Sequence, residues 1–198
     1  LAFYYGADAS IVSALTPADA ALSPAGAMTV RLQTLDGIQT TVVSDNATAM
    51  WSGATATSAA LLARQVGKNI YDIYSSSAST CPATTGEPTG FTLIGDDIAG
   101  PITFTSTNGS LSTAVSPTDL LGVCEPPTKK YAKGRVRYYR GSIQAISDTK
   151  NNQRTVNVVD TESYVRGVVP RESSAGWGDL AAGAGMNALR AQAVAARS

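Results

Sequence analysis

The sequence predicts an α+β fold built from two modules. Three observations predict it. Short apolar and β-branched runs alternate with polar residues and are bounded by Gly, Asp and Pro, the pattern of strands. The closing stretch, 187–197, is almost entirely Ala, Leu, Arg, Gln and Val, the composition of a helix. The charge changes sign along the chain. Residues 1–125 carry three basic side chains (Arg31, Arg64, Lys68) against ten acidic ones, and residues 126–198 carry twelve against five. The break falls at Cys124-Glu125-Pro126-Pro127-Thr128, where the Pro pair reads as a linker. An acidic, β-rich module at 1–125 is therefore expected to precede a basic module at 126–198, which holds a small sheet and two helices.

In chain order, residues 1–27 are Ala-rich and open on the aromatic cluster Phe3, Tyr4, Tyr5. Met28 to Val43 reads as a β-hairpin, with Val30, Leu32 and Thr34 leading to a turn at Asp36-Gly37, and Ile38, Thr40 and Val42 returning. Ser58 to Val66 reads as a short helix through Ala59, Leu61, Leu62 and Val66. Thr80 to Gly90 reads as loop. Thr89 to Ile94 and Pro101 to Thr105 read as a strand pair across Gly95-Asp96-Asp97. The acidic residues here are scattered singly, as on a solvated face.

The basic module has clearer texture. Gly134 to Ile146 reads as a strand, Asp148 to Gln153 as a polar turn, and Arg154 to Val159 as the return strand. Asp160 is placed to cap a short helix from Thr161 to Val168, because its carboxylate can accept from free backbone N–H groups. Pro170 ends or kinks that helix. Asn187 to Arg197 forms the last helix, with Leu189, Ala193 and Ala196 on one stripe. So small a stripe implies close packing on a neighbour.

Composition excludes several chemistries. The 198 residues contain no histidine, so no Ser-His-Asp or Cys-His pair exists within them. Two cysteines are too few for a Cys₄ or Cys₂His₂ zinc site. No metal and no cofactor is expected, and acid–base work falls to carboxylates, Lys or Tyr. No apolar run reaches the length of a membrane span. Cys81 and Cys124 frame 42 intervening residues. The Thr- and Ser-rich composition favours a disulfide in an exported protein, worth about 4 kcal/mol by chain entropy. Two buried free thiols are the alternative. With neither an initiator Met nor a signal peptide, the sequence reads as an internal or processed piece.

The run Lys129 to Arg140 holds six cations and three Tyr. On a strand its default reading is a solvated basic face. It could attract anionic peptide stems or teichoic acids, and no nucleic-acid partner is expected.

The informative motifs lie after residue 138. They are Tyr139-Arg140-Gly141-Ser142-Ile143, then Val156-Asn157-Val158-Val159, and then Glu162-Ser163-Tyr164-Val165-Arg166-Gly167-Val168-Val169-Pro170-Arg171-Glu172 with Trp177. The run Ala188-Leu189-Arg190-Ala191-Gln192-Ala193-Val194-Ala195-Ala196-Arg197-Ser198 closes the set. In this order they resemble the SpoIID/LytB family, the stage II sporulation protein D and amidase-enhancer group. The resemblance covers about residues 135–198. The opening Leu1-Ala2-Phe3-Tyr4-Tyr5-Gly6 resembles the tail of the family's other block, which would place that block's His-bearing motif upstream.

The resemblance implies an extracytoplasmic, secreted or cell-wall protein that acts on peptidoglycan. The implied activity is that of a lytic transglycosylase, cleaving between MurNAc and GlcNAc. One carboxyl group suffices for this reaction, unlike the usual two-carboxylate glycosidase. Glu172 matches the family's catalytic Glu. Such an acid works from a partly desolvated setting beside an aromatic or apolar wall, here expected from Trp177. Trp177, Tyr164, Arg171 and Tyr139 are the candidate substrate-binding residues, with a structural role open for each. Glu162 is read as structural, in the first turn of its helix. The alternative function is a non-catalytic peptidoglycan-binding module, or one that stimulates a cell-wall amidase. The sequence departs from the family at Ser173-Ser174, where Met-Pro is usual, at the added Gly183-Ala184-Gly185, and at Ser198, where the family continues. A strand edge exposed there could pair with a second copy, giving a homodimer by strand or segment exchange.

Overall fold

The computed structural model describes residues 27–51, 54–82, 86–106, 120–132 and 134–196. They form two compact units, one of 29–159 and one of 160–196 together with 27–28. The aromatic cluster at Phe3–Tyr5 lies outside the described residues.

The first unit is a sheet. Its strands are β1 (Ala27–Arg31), β2 (Thr40–Trp51), β3 (Ala54–Gly67), β4 (Ile70–Ser76), β5 (Thr92–Ala99), β6 (Ile102–Ser106), β7 (Leu121–Glu125), β8 (Arg135–Tyr139), β9 (Ser142–Ser147) and β10 (Gln153–Asp160). The main path runs β1-β10-β9-β6-β2-β3-β4-β5. β7 joins β2 at Val42 and Val43, while β6 joins the same strand at Ala47 to Met50. One long strand thus carries two branches, and the register shift between Val43 and Ala47 lies between them. The second unit contains α1 (Thr161–Glu172), a 3₁₀ segment (Ala175–Gly183) and α2 (Met186–Ala195). The α+β expectation holds.

The strands share a main core. Leu61, Ala63, Tyr71 and Ile73 from β3 and β4 cluster with Ile102, Phe104, Ile143 and Ala145 from β6 and β9, and all are wholly buried. Polar side chains join strands that are not ladder neighbours. Thr40 and Thr155 share a hydroxyl–hydroxyl bond of 2.7 Å. The Gln153 amide donates to the Ala63 carbonyl at 2.9 Å, and its oxygen accepts from the Gln65 N–H at 2.9 Å. Tyr71 and Ser147 bond through their hydroxyls at 3.0 Å. These side chains of β2, β4, β9 and β10 are thereby paired, as a dry interior requires.

Several local expectations change. Ser58 to Val66 is strand, not helix. Ala60 to Ala63 are buried in succession between β2 and β4, and a short apolar run buried on both faces has no period that tells the two apart. The hairpin over Met28–Val43 does not form. A 3₁₀ turn at Gln33–Leu35 sends Leu35 into the core, and β1 lies beside β10, with the Leu32 N–H donating to the Thr155 carbonyl. Gly37 does take the positive φ of a turn, +72°. Gly95-Asp96-Asp97 is not a connecting turn but part of β5, which pairs irregularly with β4. β6 pairs instead with β2 and β9. The expected strand 134–146 is two strands, β8 and β9, broken at Gly141.

The hairpin of β9 and β10 forms as read. Asp148 accepts from the backbone N–H groups of Lys150 and Asn152, both at 2.9 Å, and closes the turn. The Cys81–Cys124 disulfide is present, with its Cα atoms 5.7 Å apart. Cys124 sits in a small cluster with Val43 and Ala60. The compact units meet in sequence at Val159/Asp160, not at the charge break after residue 125. The reason is pairing across that break. β7 pairs β8 from Leu121↔Tyr139 to Glu125↔Arg135, and β6 pairs β9.

Candidate functional site

The motif residues fall in both units. In the sheet unit they form a backbone staple. Gly141 has φ +78°, and a Cβ there would lie 2.1 Å from the Val158 carbonyl oxygen, so no other residue fits. The Asn157 amide donates to the carbonyls of Arg140 and Ser142, at 2.7 and 3.0 Å. The Tyr-Arg-Gly-Ser and Val-Asn motifs are thus two halves of one device that pins the β8–β9 break onto β10. Tyr139 is half-buried against the main core. Its position gives it a packing role.

The basic run has structural partners too. Glu125 is buried and paired with both Arg135 and Arg137, the latter at 3.0 Å. The Arg135 guanidinium also stands over the Tyr131 ring, 4.3 Å from its centre. A carboxylate this deep requires such partners, because an unpaired buried charge is costly. Elsewhere in this unit Asp72, Asp96 and Asp97 bring their carboxylates within 4.8 Å of one another. The Asp97 charge is the main reason Asp96 holds its proton more tightly than an ordinary Asp. Arg64 balances the buried member, Asp72, at 3.0 Å.

The second unit carries the candidate acid. Asp160 caps α1 as read, accepting from the Ser163 N–H at 2.9 Å. The helix continues past Val168 and through Pro170 to Glu172. Pro170 has no N–H to offer the carbonyl four residues back, yet the Ser173 N–H closes the last turn on the Val169 carbonyl at 2.9 Å. Glu172 is therefore the final helical residue, not part of a turn.

α2 packs on α1 through the small stripe expected of it. Val165, Val169 and Ala193 are buried together, with Tyr164 and Ala196 against them. Tyr164 is thus half-buried between the helices as a packing residue. Between the helices, the 3₁₀ segment is held close to α2. A Cβ on Gly178 would meet the Met186 sulfur, and one on Gly185 would meet the Trp177 carbonyl.

Glu172 is exposed, so the described residues do not supply the partly desolvated setting expected for it. Its carboxylate Oε2 accepts a hydrogen bond from the Gln192 side-chain amide on α2. Trp177 stands 48% exposed. The side chains of Arg171 and Glu162 lie outside the described residues. Sequence reasoning missed Gln192. It sits beside Ala193 on the helix, and a search for an apolar stripe passes over it. The signal that could have found it is a lone amide among alanines on a helix expected to pack against the candidate acid's own.

Among the described residues no helix is long and apolar enough to cross a membrane. No curated protein and no solved structure matches the chain. One family model does, described as SpoIID, Stage II sporulation protein, and it covers residues 139–198. That segment begins at the staple and includes Glu172, Trp177 and Gln192. Over these residues the chain is similar to the SpoIID family, and that likeness suggests a cell-wall related role.

Proposed function

We propose that this protein is a lytic transglycosylase of the peptidoglycan glycan strand, with Glu172 as its single acid and base. The observation that carries the reading is the placement of Glu172. It ends α1 and is held by an amide from a second helix, within the segment similar to the family. In the reaction Glu172 gives its proton to the glycosidic oxygen as the MurNAc C1–O bond breaks. The MurNAc C6 hydroxyl then bonds to C1, and its proton returns to Glu172. The products are a free GlcNAc 4-hydroxyl and a 1,6-anhydro ring, with no water consumed. A sugar ring arriving over Glu172 excludes solvent from it, and the exposed indole of Trp177 offers a face on which pyranose rings stack. Arg171, adjacent in sequence, is the proposed partner for an anionic peptide stem. Such a substrate places the protein outside the cytoplasm, where the Cys81–Cys124 disulfide is stable.

The test is digestion of purified peptidoglycan, with products read by mass spectrometry. We expect 1,6-anhydro-muropeptides from the wild type and none from Glu172→Gln. Their absence with wild type, or their survival in the variant, rejects the reading. One observation favours a second reading. Glu172 is solvent-exposed, which suits a non-catalytic module that binds glycan or stimulates a cell-wall amidase. That reading predicts glycan retention in a pull-down and faster amidase turnover, both unchanged in Glu172→Gln.

A further inference from the structure

We infer that Gln192 is a positioning residue for Glu172, able to partner the carboxyl group in both of its protonation states. The inference rests on the reading of Glu172 as the acid. Its physical basis is the bond from the Gln192 amide to Glu172 Oε2. The two residues lie on different helices. α2 is fixed by Ala193, wholly buried against Val165 and Val169, and by Leu189, which is almost wholly buried. Glu172 is thus tied to a packed element, although its own side chain is exposed. Its other oxygen, Oε1, has no partner among the described residues and is free to meet a substrate.

The chemistry of the amide matters. An acid that gives a proton and takes it back passes through both forms in each turnover. The NH₂ of Gln donates to the carboxylate. After rotation of the amide, its oxygen accepts from the protonated acid. Arg or Lys would partner only the ionised form and hold the acid there. A second carboxylate would compete for the same proton. Gln holds the geometry without choosing a charge. No other charge intervenes among the described side chains. Arg190 on α2 donates to Asn187 of its own helix, and Asp179 lies on the 3₁₀ segment.

The experiment compares wild type, Gln192→Ala, Gln192→Glu and Gln192→Arg for 1,6-anhydro product formation across pH, with circular dichroism confirming the fold. Loss of the tether lowers kcat in Gln192→Ala by about a hundredfold, the scale of a misplaced catalytic group, with KM little changed. The Arg variant moves the pH–rate profile downward by about one unit or more, and the Glu variant moves it upward. A Gln192→Ala enzyme with wild-type kcat and an unmoved profile overturns the inference. If the wild type forms no anhydro product, the transglycosylase reading fails instead. Titration of the Glu172 carboxyl by NMR then decides the contact by itself. The same midpoint in wild type and Gln192→Arg overturns it, and a lower midpoint in the variant supports it.

Discussion

Tyr71, Ile102, Phe104 and Ile143 in the sheet unit are wholly buried, whereas Trp177, Leu180 and Val194 in the helical unit stand 48%, 58% and 48% exposed. The sheet draws its apolar residues from β3, β4, β6 and β9, which are distant in sequence. The helical unit buries a short list: Val165, Val169, Leu189 and Ala193. It also holds Ala181 and Ala182 at φ +49° and +55°, a left-handed conformation that costs about 1–2 kcal/mol per non-Gly residue. The sheet unit also exposes Val66, Leu93 and Tyr138 and holds Asn69, Asp97 and Asn151 at positive φ. Asn and Asp tolerate that region, so among the described residues it is the helical unit, where the candidate chemistry lies, that holds alanines there. Functional segments are commonly drawn from the less stable end of a structure.

The comparison can be broken most directly at Phe104. Phe104→Ala removes a wholly buried ring and is expected to cost about 3–5 kcal/mol, measured by urea unfolding. A cost near zero would show that the sheet core is not what holds this unit. Next comes the disulfide. Replacing Cys81 and Cys124 together by Ser is expected to cost about 4 kcal/mol, from the 43-residue separation that the bond closes. Reduction should reproduce that loss in the wild type and leave the double variant unchanged.

A smaller effect of opposite sign is expected in the helical unit. Ala181→Gly removes a left-handed alanine and should stabilise by about 1 kcal/mol in the same unfolding assay. A destabilisation would mean that the left-handed loop is not the ground state.

The smallest effect is set by pH. A hydrogen bond from Arg31 holds the Asp36 carboxyl below its ordinary value of 3.8, and backbone N–H donation from Asn152 does the same for Asp148. Both pKa values are depressed on folding, so their contribution is present above pH 3.8 and is lost as pH falls through the folded values. Asp36→Asn and Asp148→Asn should therefore flatten the acid limb of the stability–pH curve and lower stability at pH 7. An acid limb as steep as wild type in both variants would remove these two groups as its cause.

What could be read in the sequence was local. The Asp160 cap, the Asp148–Gln153 turn and the final helix each depend on residues a few positions apart, and each formed. The pairing of Cys81 with Cys124 followed from composition. Pairing between distant strands was not readable. The period-two pattern that marks β1 and β2 as strands does not say that β10, more than a hundred residues later, is the partner of β1. Ser58–Val66 failed for a related reason, because burial between two neighbours outweighed the helix preference of Ala and Leu. Within the site, Glu172 was found through motif order. The staple of Gly141 and Asn157 was visible only as letters of a motif until the carbonyls of Arg140, Ser142 and Val158 gave them a purpose.

The forked strand β2 has a consequence for protein engineering. The connection 107–119 leaves β6 where Ser106 pairs with Ala47, and returns to β7 where Gly122 pairs with Val43. Both anchors lie on one strand, about 14 Å apart at the usual rise per residue. The ladders fix these anchors whatever chain runs between them, and doubling a loop's length costs only about 0.6 kcal/mol. The connection is thus a natural port for a genetically encoded passenger, such as a fluorescent domain or an affinity tag.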